Sequence, residues 1–179
     1  DKVILNDMEI ARESVEHLIE KGSKKIALIT TDNYFNVSER RKDGYIQALK
    51  DNDIPFDKNL ILTLPHDLDN TKLITEFFQK NEIEAVLCVN EIFAVQCMSV
   101  IQQIGLKIPE DISIIGFTDG ILSRFSSPKL STVAQHGEKM GGLAAEMLIK
   151  RMESTEVVEE PFRTEVIEAT LIKRGSTIN

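Results

Sequence analysis

Short runs of apolar residues alternate along this chain with longer stretches in which apolar residues recur every three or four positions. "KVIL" is a short strand candidate. "MEIARESVEHLIEKG" follows with Ile10, Ser14, Val15, Leu18 and Ile19 on one helical face and Gly22 as a stop signal. "KKIALIT" is the next strand. "SERRKDGYIQALKDN" is a helix with Ser38 as its N-cap and Tyr45, Ile46 and Leu49 on the inner side. "NLILTL" is strand-like, and "NTKLITEFFQKN" is a helix carrying Leu73, Ile74, Phe77 and Phe78. "IEAVLCVN" is an apolar strand, "EIFAVQCMSVIQQIG" a helix ending at Gly105, and "ISIIGF" a further strand.

Strand and helix thus alternate at about 25 to 30 residues per unit, the signature of βαβ units and a parallel sheet. Several strands are apolar throughout rather than at alternate positions, which requires helices on both faces of the sheet. The fold class is α/β. After Gly120 the rhythm breaks. "ILSRFSSPKLSTVAQ" is loop-rich around Pro128, with a short strand from Ser131 to Val133. "GEKMGGLAAEMLIKRMES" is a helix with a stripe of Met140, Leu143, Ala144, Met147 and Leu148. An acidic connection, "STEVVEEP", then leads to one or two closing strands in "RTEVIEATLIKRGST".

Composition narrows the classes. With 42% apolar and 28% charged residues among 179, the chain reads as an ordinary globular domain or two small lobes. No run approaches the ~20 apolar residues of a membrane span, and the charged opening "DKVILND" is no signal peptide. The chain does not open with Met and is expected to be a piece of a longer protein. A net charge of -8 argues against a nucleic-acid face within this segment. The basic clusters "KGSKK" and "SERRK" read as solvated helix ends. Cys88 and Cys97 have neither zinc nor disulfide spacing and read as buried reduced thiols, which suits a cytoplasmic location.

Ligands of open parallel sheets bind beyond the carboxyl ends of the strands. The residues there are Thr30 to Phe35, with Arg41 near the next helix start, then Asn90 and Glu91, then Thr118 and Asp119. Asn6 and Asp7 follow "KVIL". Planar amide, carboxylate and guanidinium groups make paired hydrogen bonds to adjacent hydroxyls. Tyr34 or Phe35 offers an apolar sugar face something to pack on. That mixture suits a polyol or sugar. Equally, Asn90 and Asp119 could each cap the helix or turn that follows. No P-loop, GxGxxG or GxSxG is present. His17 reads as a surface or half-buried histidine, and His66-Asp67 lacks a nucleophile to complete a triad. No catalytic residue, metal site or cofactor is expected.

Taken together, "SVEHLIEKGSKKIALIT", "RKDGYIQAL", "EAVLCVNEIFAVQCMSVIQQIGLKIPEDISIIGFTD", "SSPKLSTVAQHGEKMGGLAAEMLIKRM" and "LIKRGST" resemble the effector-binding domain of the LacI/GalR family of bacterial transcriptional regulators. The resemblance spans nearly the whole chain in the family's order. It implies a fold like the type I periplasmic sugar-binding proteins, two lobes with a ligand between them. Residues 1–24 would end the first lobe, 25–133 form the second, 134–158 return a helix to the first, and 159–179 supply the last strands of the second. Carried over, Arg41 matches the effector-contacting arginine of R-x-x-G, with Gly44 as its glycine. Asn90 matches the asparagine of the family's N-D pair, with Glu91 in place of the aspartate. Thr118 falls where many members carry a ligand-contacting aspartate, with Asp119 one position later. Asn6 falls on the asparagine of the D-N pair.

The resemblance further implies a small-molecule effector, a sugar or sugar derivative, that rearranges the lobes of a homodimer. Operator DNA would be met only through a helix-turn-helix domain outside this chain, with no membrane partner. A periplasmic sugar-binding protein of a transport system shares the fold and stays open at this stage.

Overall fold

The computed structural model describes residues 1–31, 36–66, 69–153 and 161–178. Strand β1 (Lys2–Leu5) leads into helix α1 (Asp7–Glu20). The alternation then runs β2 (Ile26–Thr31), α2 (Asn36–Asp51), β3 (Ile61–Leu64), α3 (Thr71–Lys80), β4 (Ala85–Cys88) and α4 (Glu91–Gln103). It continues with β5 (Ser113–Phe117), a short α5 (Ile121–Phe125), β6 (Ser131–Ala134), α6 (Gly137–Glu153), β7 (Thr164–Ile167) and β8 (Thr170–Ile172). Where the sequence shows only a loop after Gly120, one helical turn forms. Ser38 lies inside α2 and is buried, rather than capping it.

Six strands form one sheet in the order β3-β2-β4-β5-β6-β8. All neighbours are parallel except β6 and β8, which run antiparallel. Strands β2, β4 and β5 are buried at every position, as their largely apolar runs predict for a sheet covered on both faces, and β6 is buried throughout as well although it carries Ser131 and Thr132. The helices gather as α1 with α2, and α3 with α4 and α5. From β2 the chain goes outward to β3, then crosses back to β4 and builds the other half. The strand order therefore reverses between β2 and β4, and open sheets of this kind take ligands in a crevice beyond the carboxyl ends at such a switch point.

Gly44 on α2 fixes how α1 and α2 meet. A Cβ there would stand 2.9 Å from the Ala11 Cβ and 3.0 Å from the Arg12 nitrogen, and still closer to the Met8 carbonyl oxygen. Tyr45, next to it, is fully buried and donates to the Ile26 carbonyl at 2.8 Å; burial pushes its hydroxyl pKa up. Cys88 and Cys97 are both buried free thiols, as their apolar context predicts.

A second sheet has two strands, β1 and β7, paired in parallel. Helix α6 leans on β1 and has no fully buried residue, with Leu148 60%, Ile149 53% and Met152 77% exposed. Two sequence boundaries shift here. Residues 1–24 do not stay together, because α1 packs on α2 and also touches β4 and β8 of the larger sheet. Residues 159–179 split as well: β7 pairs with β1, and only β8 joins the larger sheet.

His17 is another departure. It is buried (3% exposed), and neither ring nitrogen has a hydrogen-bond partner. Burial, then the charges of Lys173 and Lys21, lower its pKa from the usual 6.5. A lowered folded value means the unfolded chain binds the proton first, so stability is full above pH ~6.5 and falls as pH drops below it. We expect the urea midpoint to fall between pH 7.5 and 5.5, and to fall measurably less in His17→Leu. Equal pH dependence in the two proteins would refute this.

Candidate functional site

The carboxyl ends of β4 and β5 and the amino end of α1 converge on Arg41. It is 5% exposed, and the R-x-x-G spacing to Gly44 places it on the first turns of α2 beside α1. Its Nε donates to Asp7 Oδ1 at 2.8 Å, and its Nη2 lies 2.7 Å from the same oxygen. Its Nη1 donates to the Val89 carbonyl at 2.5 Å, at the end of β4. The guanidinium lies over the Phe117 ring, 3.9 Å from its centroid, at the end of β5. Burial lowers the Arg41 pKa and the Asp7 charge opposes that shift; a guanidinium stays protonated through such changes.

The residues next to these anchors are the polar candidates. Asn90 follows Val89. Its Oδ1 accepts from the Phe93 nitrogen at 2.8 Å, so it caps α4 from an extended backbone. That leaves its amide group, on a half-exposed residue, as the hydrogen-bonding end that does not serve the cap. Thr118 follows Phe117, is exposed, and has φ +78. A β-branched residue in that region is strained by about 1–3 kcal/mol. Its backbone is held there: the nitrogen donates to the Val133 carbonyl at 3.0 Å, and its own carbonyl accepts from Gly120, Ser123 and Thr132. Thr31, at the end of β2, is 4% exposed and its hydroxyl has no partner. The carboxyl edge at the switch point thus carries an accessible amide at Asn90 and hydroxyl at Thr118, with the Thr31 hydroxyl and the compensated Arg41 guanidinium buried behind them.

Two other candidates are occupied elsewhere. Asp119 pairs with Arg174 at 2.5 Å and Arg124 at 3.0 Å. Burial opposes its ionisation, and these two arginines outweigh that and hold its pKa below the usual carboxylate range. It fastens the chain end to the β5–α5 turn. Asn6 is engaged through its carbonyl end: its Oδ1 accepts from the Ala169 nitrogen at 2.8 Å. Tyr34 and Phe35 lie outside the described residues. Glu91, which stands in place of the family aspartate, accepts from the Ser123 nitrogen at 2.7 Å and hydroxyl at 2.6 Å, capping α5. A side chain at Gly120 would strike that carboxylate.

The sequence places Asp7 and Thr31 among the strand-end residues without giving either a partner, and it does not single out Phe117. Asp7 looks like any carboxylate in a helix first turn, and Phe117 like a core residue. Only the approach of α2 to α1 turns both toward Arg41. Among the described residues no group of His, Cys, Asp and Glu could hold a metal ion, and no helix is long and apolar enough to cross a membrane.

Known proteins match this geometry over almost the whole chain. The chain is 34% identical to the ribose operon repressor of Haemophilus influenzae, over 98% of its own length and 53% of the repressor's. It is 32% identical to the probable transcriptional repressor ExuR of Bacillus subtilis, over 98% of this chain and 54% of that one. The chain therefore spans about half the length of the curated relatives it matches. Among solved structures, the transcription regulator CcpA of Lactococcus lactis superposes with a TM-score of 0.88 at 28% identity, covering 98% of this chain and 64% of CcpA. A LacI family regulator from Enterococcus faecium with bound ribose superposes with a TM-score of 0.86 at 26% identity, covering 99% of this chain and 65% of that one. The periplasmic binding protein-like domain family matches residues 15–177, and with that match across most of its length the chain belongs to this family.

Proposed function

We propose that this chain is the effector-binding part of a LacI-type transcriptional regulator, and that it takes a sugar or sugar derivative at the switch-point crevice. The observation that carries the reading is Arg41, buried and bridging α1, β4 and β5 at the carboxyl edge of the sheet. Around it, Asn90 and Thr118 present neutral hydrogen-bonding groups suited to hydroxyls, and the unpartnered Thr31 hydroxyl lies buried next to them. The named relatives are repressors and regulators rather than transport proteins or enzymes, and one of the similar structures holds ribose. This favours a regulator over the transport alternative and over catalysis.

In this reading the six-stranded sheet is the second lobe, and β1, β7 and α6 are a fragment of the first. The apolar residues left open on α6, with the ~140 Å³ hollow between α6 and β1, are covered by the remainder of the polypeptide. The intact protein works in the cytoplasm as a homodimer and meets operator DNA through a separate domain. A ligand shifts the lobe arrangement only through its different affinity for the two arrangements, and a small rotation alters the spacing of paired DNA-binding heads.

Titrating the intact protein with D-ribose and cellobiose tests the reading, with operator affinity and ligand heat as readouts. Asn90→Ser keeps an oxygen for the α4 cap and removes the amide. It should weaken effector binding about tenfold while leaving the melting temperature nearly unchanged. An Asn90→Ser protein that responds as the parent does removes Asn90 from the site. No sugar effect on operator affinity across a panel of such ligands refutes the function.

A further inference from the structure

Between the two sheets the described chain crosses three times. It crosses at Asn6 between β1 and α1, at Gln135 and His136 between β6 and α6, and at Glu168 and Ala169 between β7 and β8. These crossings are tied to one another by side chains. Asn6 Oδ1 accepts from the Ala169 nitrogen at 2.8 Å, and the Asn6 nitrogen donates to the Ile167 carbonyl at 3.3 Å. His136 Nε2 lies 2.9 Å from the Thr170 hydroxyl. His136 has φ +50, a left-handed conformation that a histidine adopts only at some cost. Its carbonyl meanwhile accepts from the Met140 nitrogen at 3.0 Å, which starts α6.

We propose that Asn6, His136 and Thr170 form a hinge clamp that sets the angle between the two sheets. The third crossing is the common strut, joined to the first by Asn6 and to the second by His136. Any rotation of one sheet against the other must turn backbone torsions at these few residues. A bond between two crossings survives only over the range of angles that keeps its partners together. The ties therefore weight the equilibrium between arrangements, although none of their side chains bonds to Arg41. The carbonyl end of the Asn6 side chain is thereby given to positioning. The inference deepens the regulator reading, on which its biological use rests, but its test needs no effector.

Spin labels at Lys72→Cys on α3 and Ala145→Cys on α6 of the intact protein report the inter-sheet distance without ligand. Cys88 and Cys97, both fully buried, stay unlabelled in the folded protein. Removing one tie should change the ratio of arrangements roughly two- to tenfold. We expect Thr170→Val and Asn6→Ala each to shift or broaden the parent distance distribution. Thr170→Ser, which keeps the hydroxyl, should restore it. Thr170→Val is close to isosteric, so it keeps the comparison alive if Asn6→Ala folds poorly. Distributions that match the parent in both Thr170→Val and Asn6→Ala overturn the clamp. Failure of D-ribose and cellobiose to move the parent distribution counts against the regulator reading instead, and the ligand-free comparison still decides the clamp.

Discussion

Replacing Arg41 with alanine will destabilise the fold by about 3–5 kcal/mol, the usual cost of removing one partner from a buried ion pair. Asp7 is only 4% exposed, so its carboxylate would be left in the interior without a counter-charge. The Val89 carbonyl would lose its Nη1 donor, and Phe117 the cation above its ring. Urea unfolding at pH 7 measures this directly. The origin is separable with a double-mutant cycle. Removing both charges, as Arg41→Met with Asp7→Leu, should cost less than the sum of the two single changes, because no uncompensated charge remains. Strict additivity would mean that the pair contributes nothing as a pair. Arg41→Lys should fall between parent and alanine. An ammonium keeps the charge, but it cannot reproduce the planar fork that meets Asp7 and Val89 while stacking on Phe117. In the intact protein every one of these variants should also lose effector response.

The second large effect belongs to Gly44→Ala. Here a single methyl meets backbone and Cβ atoms of α1 rather than a flexible side-chain tip. The two helices can accept it only by moving apart, which loosens Tyr45, Ala11 and the Arg41–Asp7 contact together. Overpacking of this kind costs about 1–3 kcal/mol, offset by under 1 kcal/mol of helix propensity. We expect a lower urea midpoint despite the better helix former. A midpoint at or above the parent's would show that α1 and α2 have slack where the structure shows none. Because Gly44 does not touch the crevice, any loss of effector binding in this variant would report displaced geometry rather than a lost contact.

These two positions also show how differently legible the chain is. The motif R-x-x-G marks Arg41 and Gly44 as a unit on one helix start, and the structure supplies a reason for that spacing. Gly44 lets α2 approach α1 closely, and the approach carries Arg41 to Asp7. What the arginine does there is not readable from spacing, because its partners are 34 and 48 residues away. The same holds for Asp119. Its place after a buried strand suggests a ligand contact, but the chain end returns Arg174 from 55 residues further on and neutralises it. Asn6 likewise looks like a strand-tip amide until β7 brings Ala169 beside it, 163 residues later.

The sequence by itself determined the α/β alternation, the wholly apolar strands that demand cover on both faces, and the strand ends that make up the carboxyl edge of the sheet. Those follow from local periodicity and from the cost of burying unpaired backbone, which neighbouring residues settle among themselves. Only the tertiary structure decided which polar side chains at that edge are used up and which remain. It also decided that α1 joins the larger sheet while β7 joins the smaller. Such choices turn on pairing between distant segments, where one carboxylate can meet one arginine or another, and no local pattern records which.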